Sequence, residues 1–210
     1  MSWSNKKYLL ILQLAATMAI IALTPSNVGK IGLLILVWVV TFRQISKREI
    51  WLYVISCLIF TVVDMLAVKR GLFYFINPDI WGLPLYQPLM WGYFVLHFRK
   101  FLEGGIPNMR PIITLPLLLA FVASFFFFDS EMGILASTSL ILMAFFLILR
   151  DKTDLLYFTY AIFIGFVFEF IGIKFGQWGY ISGALPLWFL TLWGGSLVFS
   201  RRIMFPLFLV

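Results

Sequence analysis

Long apolar runs separated by short polar clusters set the pattern of this chain. The runs fall at about 8–24, 29–42, 50–68, 82–98, 111–128, 132–149, 155–174 and 186–200. Most approach the ~18–20 residues that a helix needs to cross a bilayer. The pattern predicts an all-α polytopic membrane protein of about eight transmembrane helices. The second and last runs are short, and Lys30 and the Arg201/Arg202 pair are expected to lengthen them by snorkelling. Lys6 and Lys7 precede the first run as in a signal peptide. That run is long, however, and Leu23-Thr24-Pro25 is a poor cleavage site, so a retained span is expected. The tail 203–210 is too short to span and is expected along the inner interface.

Composition strengthens this reading. The chain has 210 residues, of which 62% are hydrophobic and 12% charged, whereas soluble domains run near half apolar and a quarter charged. The net charge of +7 does not indicate nucleic acid, because the basic residues sit in short clusters between the runs, where membrane orientation requires them. One side would carry Lys6, Lys7, Arg43, Lys47, Arg48, Arg99, Lys100, Arg110, Arg150, Lys152, Arg201 and Arg202. The other would carry Lys30, Lys69, Arg70 and Lys174. Both termini are therefore expected in the cytoplasm, in a multi-pass protein of a prokaryotic inner membrane. Cys57 and His97 are single residues of their kind, so neither a disulfide nor a metal cluster is expected, and no cofactor is called for.

An internal repeat organises the chain. Positions 47–75 align with 152–180 without a gap. Lys47-Arg48-Glu49 matches Lys152-Thr153-Asp154, Asp64 matches Glu169, Lys69 matches Lys174, and Gly71 matches Gly176. Phe73 and Phe75 match Trp178 and Tyr180. After a loop of different length, Leu83-Pro84-Leu85 matches Leu185-Pro186-Leu187, Trp91-Gly92 matches Trp193-Gly194, and Arg99-Lys100 matches Arg201-Arg202. The expectation is one transmembrane domain over 1–210, made of two parallel four-helix repeats at about 8–100 and 111–202, with a pseudo-twofold axis along the membrane normal.

Most repeated residues have ordinary roles. Lys69 and Lys174 suit a last helical turn, Gly71 and Gly176 a helix end, and Pro84 and Pro186 the first turn of the next helix. The aromatic loops after each glycine suit interfacial anchors, and His97 beside Arg99 suits the inner interface. Asp129, Glu131, Asp151 and Asp154 look like solvated charges. Gln13, Thr17, Gln87, Ser137, Thr138, Ser139 and Thr159 are isolated polar residues that could line a cavity.

The acids are different. Asp64 and Glu169 lie fourteen residues into their spans, about 21 Å at 1.5 Å per residue. An intramembrane carboxylate costs several kcal/mol and usually has a task. Trp91 and Trp193 should reach similar depth on the neighbouring helices, where Gly92 and Gly194 permit close approach. A neutral carboxylic acid in an apolar pocket is a competent proton donor, and aromatic faces can stabilise a developing cation. Such a site could protonate a double bond or epoxide of an isoprenoid, with the second carboxylate removing a proton or activating water.

The acid–x6–Gly–x–aromatic–x–aromatic unit resembles the small integral-membrane carotenoid enzymes, the heterodimer-type lycopene cyclases and related carotenoid hydratases, and is similar to small membrane terpene cyclases that use acids from two helices. The resemblance covers about 47–100 and 152–202. It implies Asp64 and Glu169 as acid–base residues, with Phe73, Phe75, Trp178 and Tyr180 nearby. The chain departs from the cyclases after the loop proline, where they carry a pair of acids. Here Pro84 is followed by Leu85-Tyr86-Gln87 and Pro186 by Leu187-Trp188-Phe189.

The expected function is thus proton-initiated cyclisation, isomerisation or hydration of an apolar isoprenoid, terpenoid or carotenoid-type lipid. Asp64 and Glu169 would be catalytic, and Trp91, Trp193, Phe73, Trp178 and Tyr180 would line the substrate. Partners are the lipid substrate and membrane lipids, with no nucleic acid. A transporter using the acids as a relay, and a scaffold in which each acid pairs with Lys or Arg, are the alternatives.

Overall fold

The computed structural model describes residues 3–209. The elements are α1 (Trp3–Leu23), α2 (Asn27–Thr41), α3 (Lys47–Arg70), β1 (Phe73–Phe75), α4 (Gln87–Leu102), α5 (Pro111–Phe127), α6 (Glu131–Leu149), α7 (Lys152–Lys174), β2 (Trp178–Tyr180), α8 (Trp188–Phe199), a π-helical turn (Ser200–Met204) and α9 (Phe205–Leu209). The predicted runs correspond to α1 through α8. Among the described residues four helices are long and apolar enough to cross a membrane: α1 from Lys6, α3, α6 and α7. Helices α2 and α5 are apolar but shorter.

Polarity in these helices is reversed relative to a soluble bundle. Leu12, Leu36, Trp51, Leu58, Val62, Phe163 and Phe170 are exposed, while Gln13, Thr17, Lys30, Asp64, His97, Asp154 and Arg201 are buried. A soluble protein tolerates scattered apolar residues on its surface. A surface apolar along whole helices, with polar groups turned inward, suits lipid.

The chain forms two compact units. The first is the chain up to Phe101 with Phe168–Ala184, and the second is Leu102–Val167 with the chain from Leu185 onward. In the first, Ser46 and Glu49 form a capping box at the start of α3, which satisfies two otherwise orphaned N–H groups. Gly71 ends α3 in the left-handed conformation, with φ 77°, and Leu72 N–H donates to Ala67 O. Gly176 does the same after α7, with φ 64°, and Gln177 N–H donates to Gly172 O. These are the helix ends expected of the two glycines.

The stretches after those glycines are not free interfacial anchors. They are β1 and β2, which pair antiparallel with Phe73 opposite Tyr180, Tyr74 opposite Gly179 and Phe75 opposite Trp178. Ile76 N–H donates to Gln177 O, so by alternation Phe73/Tyr180 and Phe75/Trp178 are the pairs whose side chains stand closest. The loop after β1 is tied down by Asp79, whose Oδ2 accepts from Leu85 N–H and Asn27 Nδ2, each at 2.8 Å. Pro84 lies in the turn before α4 rather than in its first turn, and its carbonyl accepts from Gln87 N–H.

Helix α4 is buried on nearly every face. Gly92 makes this possible, because a Cβ there would meet Tyr53 O at 2.7 Å on α3. Two expectations fail in this unit. Lys30 does not snorkel: it is 2% exposed, its Nζ donates to Gln177 Oε1, and it lies 4.8 Å from the Tyr86 ring centre. His97 is not interfacial: it is fully buried, stacked on Phe101 with Nδ1 3.4 Å from Tyr93 Oη. Both residues find polar and aromatic partners inside, which removes the reason to reach for water.

In the second unit α5 and α6 pack beside α8. Gly194 and Gly195 admit the rings of Phe158 and Phe121, and the Trp193 ring lies against Gly165. Thr138 and Thr191 share a hydrogen bond of 2.8 Å. The helix does not stop at Ser200 to release an interfacial tail. It continues through the π turn into α9, and Phe205 is buried against Tyr157. The extra residue in a π turn re-aims side chains, and here two adjacent arginines meet one pair of acids. Arg202 Nη2 lies 2.8 Å from Asp151 and 2.6 Å from Asp154, and Arg201 Nη1 bonds both as well. Arg201 and Arg202 therefore do not snorkel, and Asp154, fully buried, is not a solvated charge. Asp151 is half-buried. Burial opposes its ionisation, but hydrogen bonds from Arg201 and Thr153 N–H, with both arginine charges, hold it below the usual carboxylate range.

Breaking a buried ion pair from one side leaves a charge uncompensated. Asp154→Asn is expected to cost roughly 3–5 kcal/mol, read as a fall in thermal midpoint in detergent. Asp151→Asn, on the wetter edge, should cost well under half of that.

Candidate functional site

Asp64 and Glu169 are both in the first unit, and both are buried. Asp64 ends the buried stripe Leu52, Ser56, Phe60, Asp64 on α3, one residue every fourth, so helical periodicity turns it inward. Helix α4 presents its donors. Gln87 Nε2 donates to Asp64 Oδ2 at 2.9 Å, and Trp91 Nε1 donates to the same oxygen at 2.7 Å. Gln87 and Trp91 are one helical turn apart and so share a face. With both donors on Oδ2, Oδ1 is the oxygen left to carry a proton.

Glu169 takes a different set. Its Oε2 accepts from Trp178 Nε1 on β2 at 2.7 Å, and the Tyr180 hydroxyl donates to the same carboxyl group. Gly172 stands three residues along α7 from Glu169, on the same face. A Cβ at Gly172 would coincide with the Trp178 benzo ring, so that glycine is the seat of the indole. Tyr180 lies outside the helices. Its burial, the charge of Glu169, its hydrogen bond to Glu169 and the charge of Asp64 push its pKa well above the ordinary value. It therefore stays a neutral phenol at any physiological pH. The two carboxyl groups are themselves within electrostatic range of each other.

An unbroken series of aromatic contacts runs from one acid's donor to the other's. Phe60 stacks on Trp91 at 4.6 Å, Trp91 meets Phe94 at 6.4 Å, and Phe94 meets Phe168 at 5.1 Å. Phe168 then meets Trp178 at 4.8 Å and Trp178 meets Phe75 at 6.0 Å. Phe73 joins through Phe75 and Tyr180, at 5.6 and 6.1 Å.

Six of the seven residues singled out in the sequence thus lie in the first unit: Asp64, Glu169, Trp91, Phe73, Trp178 and Tyr180. Trp193 belongs to the second unit and packs on Gly165. Trp178 donates its indole N–H to Glu169, and Phe73, its match in the repeat, makes no such bond to Asp64. The reason is visible in the repeat. Position 73 is Phe and cannot donate, whereas its match, Trp178, can. Sequence reasoning gave Gln87 no specific role, although its four-residue spacing to Trp91 marks a shared face. Gly172 was also passed over; its three-residue spacing from Glu169 was the available signal. Among the described residues no group of His, Cys, Asp and Glu could hold a metal ion. No protein-family model, curated protein or solved structure matches this chain.

The Gly172 seat is directly testable. Gly172→Ala should cost ~1–3 kcal/mol by overpacking the indole. In a Trp178→Val background the same change should cost under about 0.5 kcal/mol, because the ring is gone. Equal costs in both backgrounds, by thermal denaturation, would show that Gly172 does not seat the ring.

Proposed function

We propose that the chain is a membrane-embedded acid–base enzyme acting on an apolar isoprenoid or related lipid, with Asp64 and Glu169 as its proton-transfer pair. One observation carries this reading. Two acids from aligned segments lie in one compact unit, within electrostatic range, and Asp64 is held by neutral donors rather than by cations. Three cations pair with other acids: Lys100 with Glu49, and Arg201 and Arg202 with Asp151 and Asp154. A scaffold whose deep acids exist to balance Lys or Arg would have the opposite arrangement.

The internal repeat supports the same reading. Gly92 admits Tyr53 and Gly194 admits Phe158, which are aligned positions. Trp91 lies on Phe60 and Trp193 on Gly165, aligned again. Lys100 pairs with Glu49 and Arg202 with Asp154, a third match. In the β1–β2 ladder the central pair, Tyr74 and Gly179, is itself an aligned pair, as a local twofold axis through that point requires. An eight-span membrane protein built from two parallel repeats, with the acids near that axis, accounts for all four.

In the proposed reaction, a carboxylic acid of the pair delivers its proton to an alkene carbon. The π pair forms the new C–H bond and leaves a tertiary cation on the neighbouring carbon. Ring faces of Trp91, Phe94, Phe168 and Trp178 stabilise that cation through their quadrupoles. A second double bond of the substrate can attack it, closing a ring. The partner carboxylate then takes a proton from the adjacent carbon, and the C–H pair becomes a new double bond. Tyr180, neutral and bonded to Glu169, can pass the proton back between the two sites.

The test is solvent isotope transfer. Protein in nanodiscs is given acyclic polyenes in D2O, and products are read by mass spectrometry. The wild type should place one solvent deuteron in each product molecule. Asp64→Asn and Glu169→Gln should each slow this by at least about a hundredfold, the lower end for general acid–base catalysis. Full rates in both variants would refute the assignment.

A further inference from the structure

Helix α1 carries two polar residues in the middle of its buried stripe. The stripe is Leu10, Gln13, Leu14, Thr17, Met18 and Ile21. Gln13 is 2% exposed and Thr17 0%. Neither Gln13 Oε1, Gln13 Nε2 nor Thr17 Oγ1 has a hydrogen-bond partner among the described residues. Spacing of four residues puts both side chains on one face. Leaving three hydrogen-bonding atoms unmet in an apolar interior is costly, and such groups usually indicate a partner still to come. Gln87 Oε1, beside Asp64, is unmet as well.

The level of these residues along α1 can be compared with that of the Asp64 donors on α4. Lys7 on α1 lies 5.4 Å from the ring centre of Phe101 on α4. The three reversals from α1 to α4 make these two helices antiparallel. Ten residues from that contact along each helix, about 15 Å at 1.5 Å per residue, lie Thr17 and Trp91. Gln13 comes level with Val95, one turn nearer the Lys7 end. Thr17 therefore stands at the depth of the indole that holds Asp64, and Gln13 one turn from it.

The chemistry of the pair narrows the ligand. A Gln amide offers an acceptor and two donors, and a Thr hydroxyl offers both roles. No charge stands on this stripe, and Lys30, the buried cation of α2, is engaged by Gln177 and Tyr86. A carboxylate or phosphate would find no counter-charge. A neutral hydroxyl, donor and acceptor at once, satisfies both residues.

We propose that Gln13 and Thr17 form a seat for the hydroxyl group of a long-chain isoprenoid alcohol whose hydrocarbon chain lies toward Trp91 and Asp64. This rests on the acid–base reading for the isoprenoid character of the chain; the hydroxyl seat is measured by binding alone. The probes are geranylgeraniol and the hydrocarbon of the same skeleton lacking the hydroxyl, titrated against the full chain in nanodiscs and read by native mass spectrometry. Wild-type protein should prefer the alcohol by at least about tenfold, since a site built to bond a hydroxyl rejects the analogue without one. Gln13→Leu/Thr17→Val should bind both probes alike, keep the wild-type affinity for the hydrocarbon, and melt at a higher temperature because unmet polar atoms have been replaced by apolar ones. Thr17→Val alone, nearly the same shape, should cut the preference severalfold and serves if the double variant does not assemble. Asp64→Asn should retain the preference whether or not turnover is lost, which separates failure of the seat from failure of the acid–base reading. Equal binding of alcohol and hydrocarbon by the wild type, or a preference that survives in Gln13→Leu/Thr17→Val, would overturn the proposal.

Discussion

Polar groups inside this protein have to look inward for partners, because its surface is apolar along whole helices. That constraint explains more of the structure than any single contact. It turns Asp64 and Glu169 toward donors, buries Lys30 on Gln177, closes β1 onto β2, and draws Arg201 and Arg202 onto two aspartates. Two short strands left open would expose unpaired N–H and C=O groups, and pairing β1 with β2 satisfies them.

The same constraint sorts the acids into two kinds. Glu49 and Asp154 sit in the first turn of their helices and pair with cations. Those pairs fix helix ends and leave no charge to spend on chemistry. Asp64 and Glu169 lie deep and are held by indole, amide and phenol donors. Neutral donors orient a carboxyl group without committing it to one charge state, and proton transfer needs that freedom. The two kinds of acid occur in the same pair of helices, so the difference arises from depth and partners rather than from residue type.

Much of the fold was legible because it rests on local rules. Eight apolar runs became eight helices within a few residues, and Gly71 and Gly176 ended helices as their lack of a Cβ allows. The burial of the two acids was legible because a carboxylate inside an apolar run has to turn away from lipid. What could not be read is what depends on tertiary pairing. Nothing local says that Phe73–Phe75 and Trp178–Tyr180 pair with each other, that Asp154 has two arginines, or that the helix from Trp188 continues through a π turn. The repeat is not chemically symmetric, because Phe73 and Trp178 differ in one donor. That difference hands Glu169 its own loop's indole.

The central claim is that Asp64 and Glu169 act as one unit. A double-mutant cycle on proton transfer measures this most directly, using Asp64→Asn, Glu169→Gln and the combined variant with a polyene substrate in D2O. Residues that act together lose most of their effect at the first substitution. The account predicts that the combined variant is no slower than the slower single variant. Losses that multiply, or a wild-type rate in either single variant, would contradict it.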